Sequence, residues 1–296
     1  MRTVTATLAD VIALLDRRYP PSTAESWDAP GTVCGDPNQP VERVLFAVDP
    51  TAAVVDEALT WGADLLVTHH PLFLRAVHSV AATSYKGALV HRLVRGGCAL
   101  HAAHTNADVA AGGVAEALAT AVGLVDLVPL TQTGIGRMGR LPVPMSLRHF
   151  GEKVAAALPA TEHGVRLAGD PDGLVATVAV VGGSGDSLFD AVRDAGADAY
   201  LTADLRHHPA SELRERATFE ARSTDPRHGR PALVDVSHAA SEWPWLAGAA
   251  AALERDLEAL RPGTTVVTRV STLRTDPWTA RIASPDPTPA PGGPDL

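Results

Sequence analysis

VERVLFAVDPTAAVVDEALTWGADLLVTHHP, running from Val41 to Pro71, decides the fold class. VLFAV is a short apolar, β-branched run. PTAAVVDEALTWG carries apolar residues at helical spacing and stops at a glycine, and DLLVT is a second apolar run. HRLVRGG and CALHAA repeat the alternation further on. Strands alternating with helices predict an α/β protein with mainly parallel or mixed sheets and helices on their faces. The same phrase returns as VATVAVVGGSGDSLFDAVRDAGADAYLTADL from Val175 to Leu205. Gly62-Ala63-Asp64 matches Gly196-Ala197-Asp198 and Thr68 matches Thr202, so 196 − 62 and 202 − 68 both give 134. An internal duplication is therefore expected, with one α/β repeat in residues 1–130 and a second in 131–283.

Composition sets the outer bounds. The chain has 296 residues, 46% of them hydrophobic, which suffices for a sizeable core. Its formal charge is −9, and no basic stripe is clustered anywhere, which argues against a nucleic-acid partner. Cys34 and Cys98 stand apart without a CxxC pair, so neither a disulfide framework nor a thiolate zinc site is indicated. A reducing cytoplasm fits best. The opening MRTVTATLADVIALLDRRYPP reads as a first amphipathic helix interrupted by Asp10 and Asp16, and no uncharged run reaches the length of a membrane span. Five prolines in SPDPTPAPGGPDL predict a disordered tail over 284–296.

Chemistry concentrates where the predicted strands end. His69 and His70 follow LLVT, His104 follows ALHAA, and His238 follows ALVDVS. Ligands gather at such ends in parallel sheets. Neighbouring residues of an extended strand point to opposite faces, so His69 and His70 suit two ions side by side better than one. Pro71 keeps His70 out of helical geometry. Alone, the pair reads equally well as a surface or core histidine pair. Two carboxylates tip the balance: His104 precedes Asp108 by four residues, His238 precedes Glu242 by four, and both pairs obey the 134-residue offset. A charge or cap at a helix entrance would account for each carboxylate singly, with Pro244 placing Glu242 at such an entrance, but not for the repeated histidine. His69, His70, Asp108, His238 and Glu242 are assigned as metal ligands. His104 is left as a ligand or as a partner that orients ligands and moves protons. Nitrogen and carboxylate donors without thiolate suit Zn, Mn, Fe(II), Co or Ni.

VTHHPLF (67 to 73), HTNAD (104 to 108), GIGRMGRL (134 to 141), VAVVGGSG (178 to 185), LTADLRHH (201 to 208) and VDVSHAASE (234 to 242) together resemble the dinuclear metal-centre hexameric proteins. These are the Ngg-one-interacting factor three family, also called GTP cyclohydrolase I type 2 homologues. The resemblance runs from Leu8 to about Pro277. It implies two intertwined α/β units, two divalent metal ions per chain and a toroidal homohexamer, and it carries the family's metal-binding residues onto His69, His70, Asp108, His238 and Glu242. Two departures stand out. The family usually continues Trp27-Asp28 with an asparagine and a GLQ-like segment, where this chain has Ala29-Pro30-Gly31-Thr32-Val33-Cys34, and Ala203 replaces the usual glycine before Asp204.

Gly134-x-Gly136-x-x-Gly139 matches a dinucleotide fingerprint only on paper, because Leu141-Pro142-Val143-Pro144 follows where a helix is required. Gly182-Gly183-Ser184-Gly185 reads as a tight turn or as an anion cradle. Arg137, Arg140 and Arg206 are candidates to neutralise a substrate phosphate, although an isolated arginine is more often a solvated surface charge. Trp61 and Trp245 read as helix packing. Residues between Arg214 and Arg230 read as an exposed polar loop.

A metal pair about 3.5 to 4 Å apart can lower the pKa of a bridging water and clamp an attacked atom, which is hydrolytic machinery. The resemblance points to GTP or another nucleotide as the small-molecule substrate, attacked by a metal-bridged hydroxide, with His104 or His208 as catalytic proton carriers. The competing expectation is a non-catalytic metal-binding hexameric scaffold.

Overall fold

The computed structural model describes residues 5–283; the proline-rich tail expected over 284–296 lies outside them. The first stretch of chain contains β1 (Ala6–Thr7), α1 (Leu8–Arg18), β2 (Gly31–Cys34), β3 (Pro40–Val41), β4 (Arg43–Ala47), α2 (Ala52–Trp61), β5 (Leu65–Thr68), α3 (Tyr85–Arg95), β6 (Ala99–Ala102), α4 (Thr105–Val109), α5 (Val114–Ala121) and β7 (Val125–Pro129). The second contains β8 (Arg137–Ser146), α6 (Leu147–Ala157), β9 (Arg166–Ala168), β10 (Leu174–Ser184), α7 (Phe189–Asp194), β11 (Ala199–Ala203), α8 (His207–Ala221), β12 (Ala232–Val236), α9 (His238–Glu242), α10 (Pro244–Leu260) and β13 (Val267–Val270).

Two mixed sheets organise these elements. One has the strand order β13-β4-β5-β6-β2, the other β7-β8-β10-β11-β12-β9. Each has a parallel centre, β4-β5-β6 or β10-β11-β12, closed by an antiparallel edge strand, β2 or β9. The final strand of each stretch crosses over: β7 joins the second sheet and β13 joins the first. Their helices cross with them. Leu118 and Ala119 of α5 pack into the core over Val178, Val180 and Leu201, while Trp245, Leu246 and Leu253 of α10 pack over Val44, Phe46 and Val67.

Alternation along the strands builds the layers. Val44, Phe46 and Val67 face α1 and α10, whereas Leu45, Leu66 and Leu100 face α2 and α3. In the other sheet Val178, Val180 and Leu201 face α5 and α6, and Ala179, Val181 and Tyr200 face α7 and α8. Burial on both faces explains why these strands are continuous apolar runs, each fully buried Leu or Phe stabilising the fold by about 1.5–3 kcal/mol.

The 134-residue spacing recurs in three dimensions. Val44 pairs with Leu65 and Val178 with Ala199, and both 178 − 44 and 199 − 65 are 134. Asp64 accepts the backbone N–H groups of Glu42 (2.8 Å) and Arg43 (2.9 Å); Asp198 accepts those of Ala176 and Thr177, both at 2.9 Å. Those aspartates clamp the entry of β4 and β10 alike.

One expectation needs correction. The polar stretch after Arg214 is not an irregular loop throughout, because α8 continues to Ala221. Leu213 and Ala217, four residues apart, are its only buried positions, too few for a visible helical stripe. GIGRMGRL leads into the strand β8 rather than a helix, in keeping with the rejection of a dinucleotide fingerprint. Among the described residues no helix is long and apolar enough to cross a membrane.

Candidate metal centre

The four-residue spacing of His238 and Glu242 is one helical turn. Both lie on the short helix α9, so their side chains share a face, with His238 Nε2 3.0 Å from Glu242 Oε1. His104 caps the start of α4 in the same manner, with Asp108 in its first turn. His69 and His70 leave the end of β5, where their backbone N–H groups still bond to Ala47 and Val48 of the neighbouring strand. These segments converge on Glu242, which is 3% exposed. Its Oε1 is also 3.4 Å from His69 Nε2, and its Oε2 is 3.2 Å from His70 Nε2. Asp108 Oδ1 reaches the opposite side of His69 Nε2 at 3.7 Å. The five residues assigned as ligands therefore come together, and the adjacent histidines address different oxygens of one carboxylate.

His104 joins them. Its ring centre lies 5.1 Å from that of His69 and 5.5 Å from that of His70. Two trios of donor atoms lie within 4.8 Å of one another: His69, His70 and His104, and His70, His238 and Glu242. Asp108 belongs to neither trio. His208 is elsewhere, exposed in the first turn of α8 with its ring 5.1 Å from His207, and no hydrogen bond or ion pair among the described residues ties it to the cluster.

Each of the four clustered rings is oriented from behind. His69 Nδ1 is 3.0 Å from the Ala103 carbonyl, His70 Nδ1 2.7 Å from Asp49 Oδ1, His104 Nδ1 2.7 Å from Asp28 Oδ1, and His238 Nδ1 2.7 Å from Asp204 Oδ2. Since carbonyl and carboxylate oxygens only accept, every Nδ1 is the donor, and the neutral ring presents an Nε2 lone pair inward. Outward acceptor, inward lone pair is the arrangement that metal-binding histidines require.

Charge completes the fit. Burial pushes the His69, His70 and His238 rings towards neutrality, but the Glu242 carboxylate and their other acceptors outweigh it, raising His69, raising His70 well above the usual range and lifting His238 to about 9. Burial raises Asp108. Glu242 would likewise be raised by burial, yet the His70, His69 and His238 charges hold it well below the ordinary carboxylate range. The cluster thus calls for positive charge, and Glu242 Oε2 is buried with no hydrogen-bond partner. Oxygen and imidazole donors arranged in this way fit divalent cations, which supply that charge while leaving the rings neutral.

A backbone wall closes one side. Gly183 has φ +69, and a Cβ there would lie 2.6 Å from Glu242 Oε1 and 3.0 Å from His238 Nε2, so glycine alone fits. Its N–H donates to Ser241 Oγ at 2.8 Å and its carbonyl accepts from Thr202 Oγ1 at 2.9 Å. The Gly182–Gly185 segment is therefore a tight turn pinned against the cluster.

The family model for Duf34/NIF3 (NGG1p interacting factor 3) matches residues 6–277. The chain belongs to this family. A GTP cyclohydrolase 1 type 2 homolog of Streptomyces coelicolor is 50% identical over 296 residues, covering 97% of this chain and 99% of that one. A Mycobacterium tuberculosis protein of the same name is 38% identical, covering 92% and 96%. Among solved structures, a Staphylococcus aureus hypothetical protein superposes with a TM-score of 0.80 at 27% identity, covering 94% of this chain and all of that one. A Bacillus cereus protein related to NIF3 shares the fold with a TM-score of 0.82 at 23% identity.

Within this Duf34/NIF3 chain, sequence reasoning missed the orienting roles of Asp28, Asp49 and Asp204. Asp49 and Asp204 end or follow β4 and β11, the one signal that placed them near the site. Asp28 sits 76 residues from His104. Its fully buried carboxylate accepts from His104, from the Thr105 N–H (3.0 Å) and from the Thr105 hydroxyl; burial would raise it, but these bonds hold it far below the usual carboxylate range. The three arginines considered for phosphate are engaged elsewhere. Arg137, 6% exposed, donates to the carbonyls of Gly134, Gly136 and Ala110; Arg140 pairs with Asp126 and Arg206 with Asp186.

Proposed function

We propose that this chain is a metal-dependent hydrolase built on a dinuclear centre, acting on GTP or another nucleotide. The observation that carries the reading is the set of four imidazoles, each with Nδ1 tied to an oxygen, three of which (His69, His70 and His238) turn Nε2 towards the shared carboxylate of Glu242, with His104 beside His69 and His70. His69, His70, His238 and Glu242 would hold the ions, with Asp108 and His104 both beside His69. When bound, a divalent pair supplies Lewis acidity and a water of lowered pKa. The chain's own part is to orient and to exclude. Asp28 retains the Nδ1 proton of His104, leaving its Nε2 free to bind or to accept a proton at the cavity wall, and the side-chain-free Gly183 lets the backbone wall approach Glu242 and His238 closely. The substrate class follows from the name borne by the Streptomyces and Mycobacterium relatives.

We further read the two sheets as a duplicated pair, residues 1–130 and 131–283, exchanging their last helices and strands. Homohexamer assembly follows from the family resemblance, and a cytoplasmic setting suits the two free thiols, Cys34 and Cys98. A metal-binding scaffold is the competing reading, supported by ligands drawn from both sheets, which the ions would clamp together. Incubation of metal-loaded protein with GTP and a nucleotide panel, alongside Glu242→Ala, decides between them. Turnover that disappears in the variant supports the hydrolase; full metal occupancy without turnover supports the scaffold.

A further inference from the structure

A cavity of about 400 Å³ opens directly onto the cluster, bounded by His104, Asp108, His238 and Glu242 on its floor and by Trp27, Ile135, Ser187 and Leu188 on its walls. Trp27 is 58% exposed. A large aromatic left open to solvent beside a concave polar floor is unusual, since such side chains normally bury their area in the core. Its one ring contact is an edge-on approach to His104, with centroids 6.0 Å apart and planes at 79°, which leaves much of the indole free. Trp27 immediately precedes Asp28, so the residue that orients His104 also fixes the indole beside it.

The charge of this cavity is one-sided. Its lining carboxylates are Glu25, Asp108 and Glu242, and among the described residues neither lysine nor arginine lines it. A second opening on the other side of His70 and His238 is equally acidic, with Asp49, Asp204 and Asp276. The arginines that could have met a phosphate are spent on backbone carbonyls or on other carboxylates. Away from the ligand cluster itself, a polyphosphate in either opening would face carboxylates without a matching lysine or arginine, whereas a planar, uncharged ring would find an open indole face and the Ser184 and Ser187 hydroxyls.

Resting on the hydrolase reading above, we propose that the cavity recognises the base of a purine nucleoside, stacked on Trp27 beside His104, and leaves its phosphates outside. Trp27 is then the specificity-determining residue, and the phosphate tail contributes little to affinity. The test is calorimetric titration of zinc-loaded wild type, Trp27→Ala and Trp27→Phe with guanosine and with GTP, with metal content measured on each sample. The expected result is that guanosine and GTP bind within about ten-fold of one another, that Trp27→Ala weakens both by about ten-fold or more at unchanged metal content, and that Trp27→Phe restores most of the loss. GTP binding more than about ten-fold tighter than guanosine, binding unaffected by Trp27→Ala, or no binding of guanosine overturns the proposal. The two readings fail separately. GTP turnover with strong phosphate dependence sinks the base-recognition proposal and leaves the hydrolase intact. Guanosine binding that depends on Trp27, with no turnover of any nucleotide, does the reverse.

Discussion

Replacing Asp28 by asparagine changes one atom and tests the orientation of the cluster from outside it. Asp28 Oδ1 accepts from His104 Nδ1 and from the Ala29 N–H, both at 2.7 Å, while Oδ2 accepts from the N–H and hydroxyl of Thr105. All neighbours are donors, and an amide offers one oxygen where the carboxylate offers two. If its NH2 faces Thr105, a buried backbone N–H loses its acceptor, at a cost of about 1–3 kcal/mol. If its NH2 faces His104, the imidazole must surrender its Nδ1 proton and carry it on Nε2, removing the inward lone pair. Either outcome disturbs His104, and loss of such an orienting carboxylate weakens metal binding by roughly 10- to 100-fold, about 1.4–2.7 kcal/mol. Asp204→Asn supplies the internal control. Asp204 is exposed and its carboxylate meets His238, so a rotated asparagine can still offer its oxygen, and a loss of no more than about three-fold is expected. Competition against a colorimetric chelator gives both affinities, and thermal melting confirms that both variants fold. Asp28→Asn binding metal within about two-fold of wild type would refute the reasoning.

Three further outcomes follow from particular contacts. His101 is buried between β5 and β2 with Thr32 Oγ1 at 3.1 Å from its Nδ1, and burial depresses its pKa to about 4. The unfolded chain, titrating near 6.5, binds the extra proton first, so stability should fall as pH drops from about 6.5 to 4, by (6.5 − 4) × 1.36, or about 3 kcal/mol in all; denaturant melts across that window should show the slope, and His101→Asn should flatten it. Gly183→Ala places a side chain at φ +69, costing about 1–2 kcal/mol of stability, while pressing on Glu242 and His238; metal uptake should fall far more than the melting temperature, and normal uptake by the variant would contradict the close approach. Arg137→Met strips donors from three buried or half-buried carbonyls and should destabilise the fold by about 2–4 kcal/mol with metal stoichiometry unchanged, as measured by urea unfolding and elemental analysis.

The central strands and helices were legible because burial on both faces writes unbroken apolar runs, and helical spacing between them is undisturbed. Edge strands were not. β2, β9 and β13 hold three or four residues each, too short for a pattern, and exist because a neighbouring strand offers them hydrogen bonds. The inward ligands showed themselves through matched spacing of His104-Asp108 and His238-Glu242, a covalent signature of one helical turn. Asp28, Asp49 and Asp204 gave no such signature, since their histidine partners lie 76, 21 and 34 residues away and meet them only once the sheets are formed. His208 illustrates the converse: it follows a strand-end motif, yet α8 begins there and carries its ring away from Glu242. Arg137 was misjudged as a free cation because sequence does not show the carbonyls of Gly134 and Gly136 turning towards it.

Crystals grown with manganese, and an anomalous difference map recorded from them, test the central claim most directly. Two peaks per chain are predicted, one beside His69, Asp108 and His104 and one beside His70 and His238, with the Glu242 carboxylate between them. A folded chain showing no peak at these residues, or metal bound only elsewhere, would contradict the account.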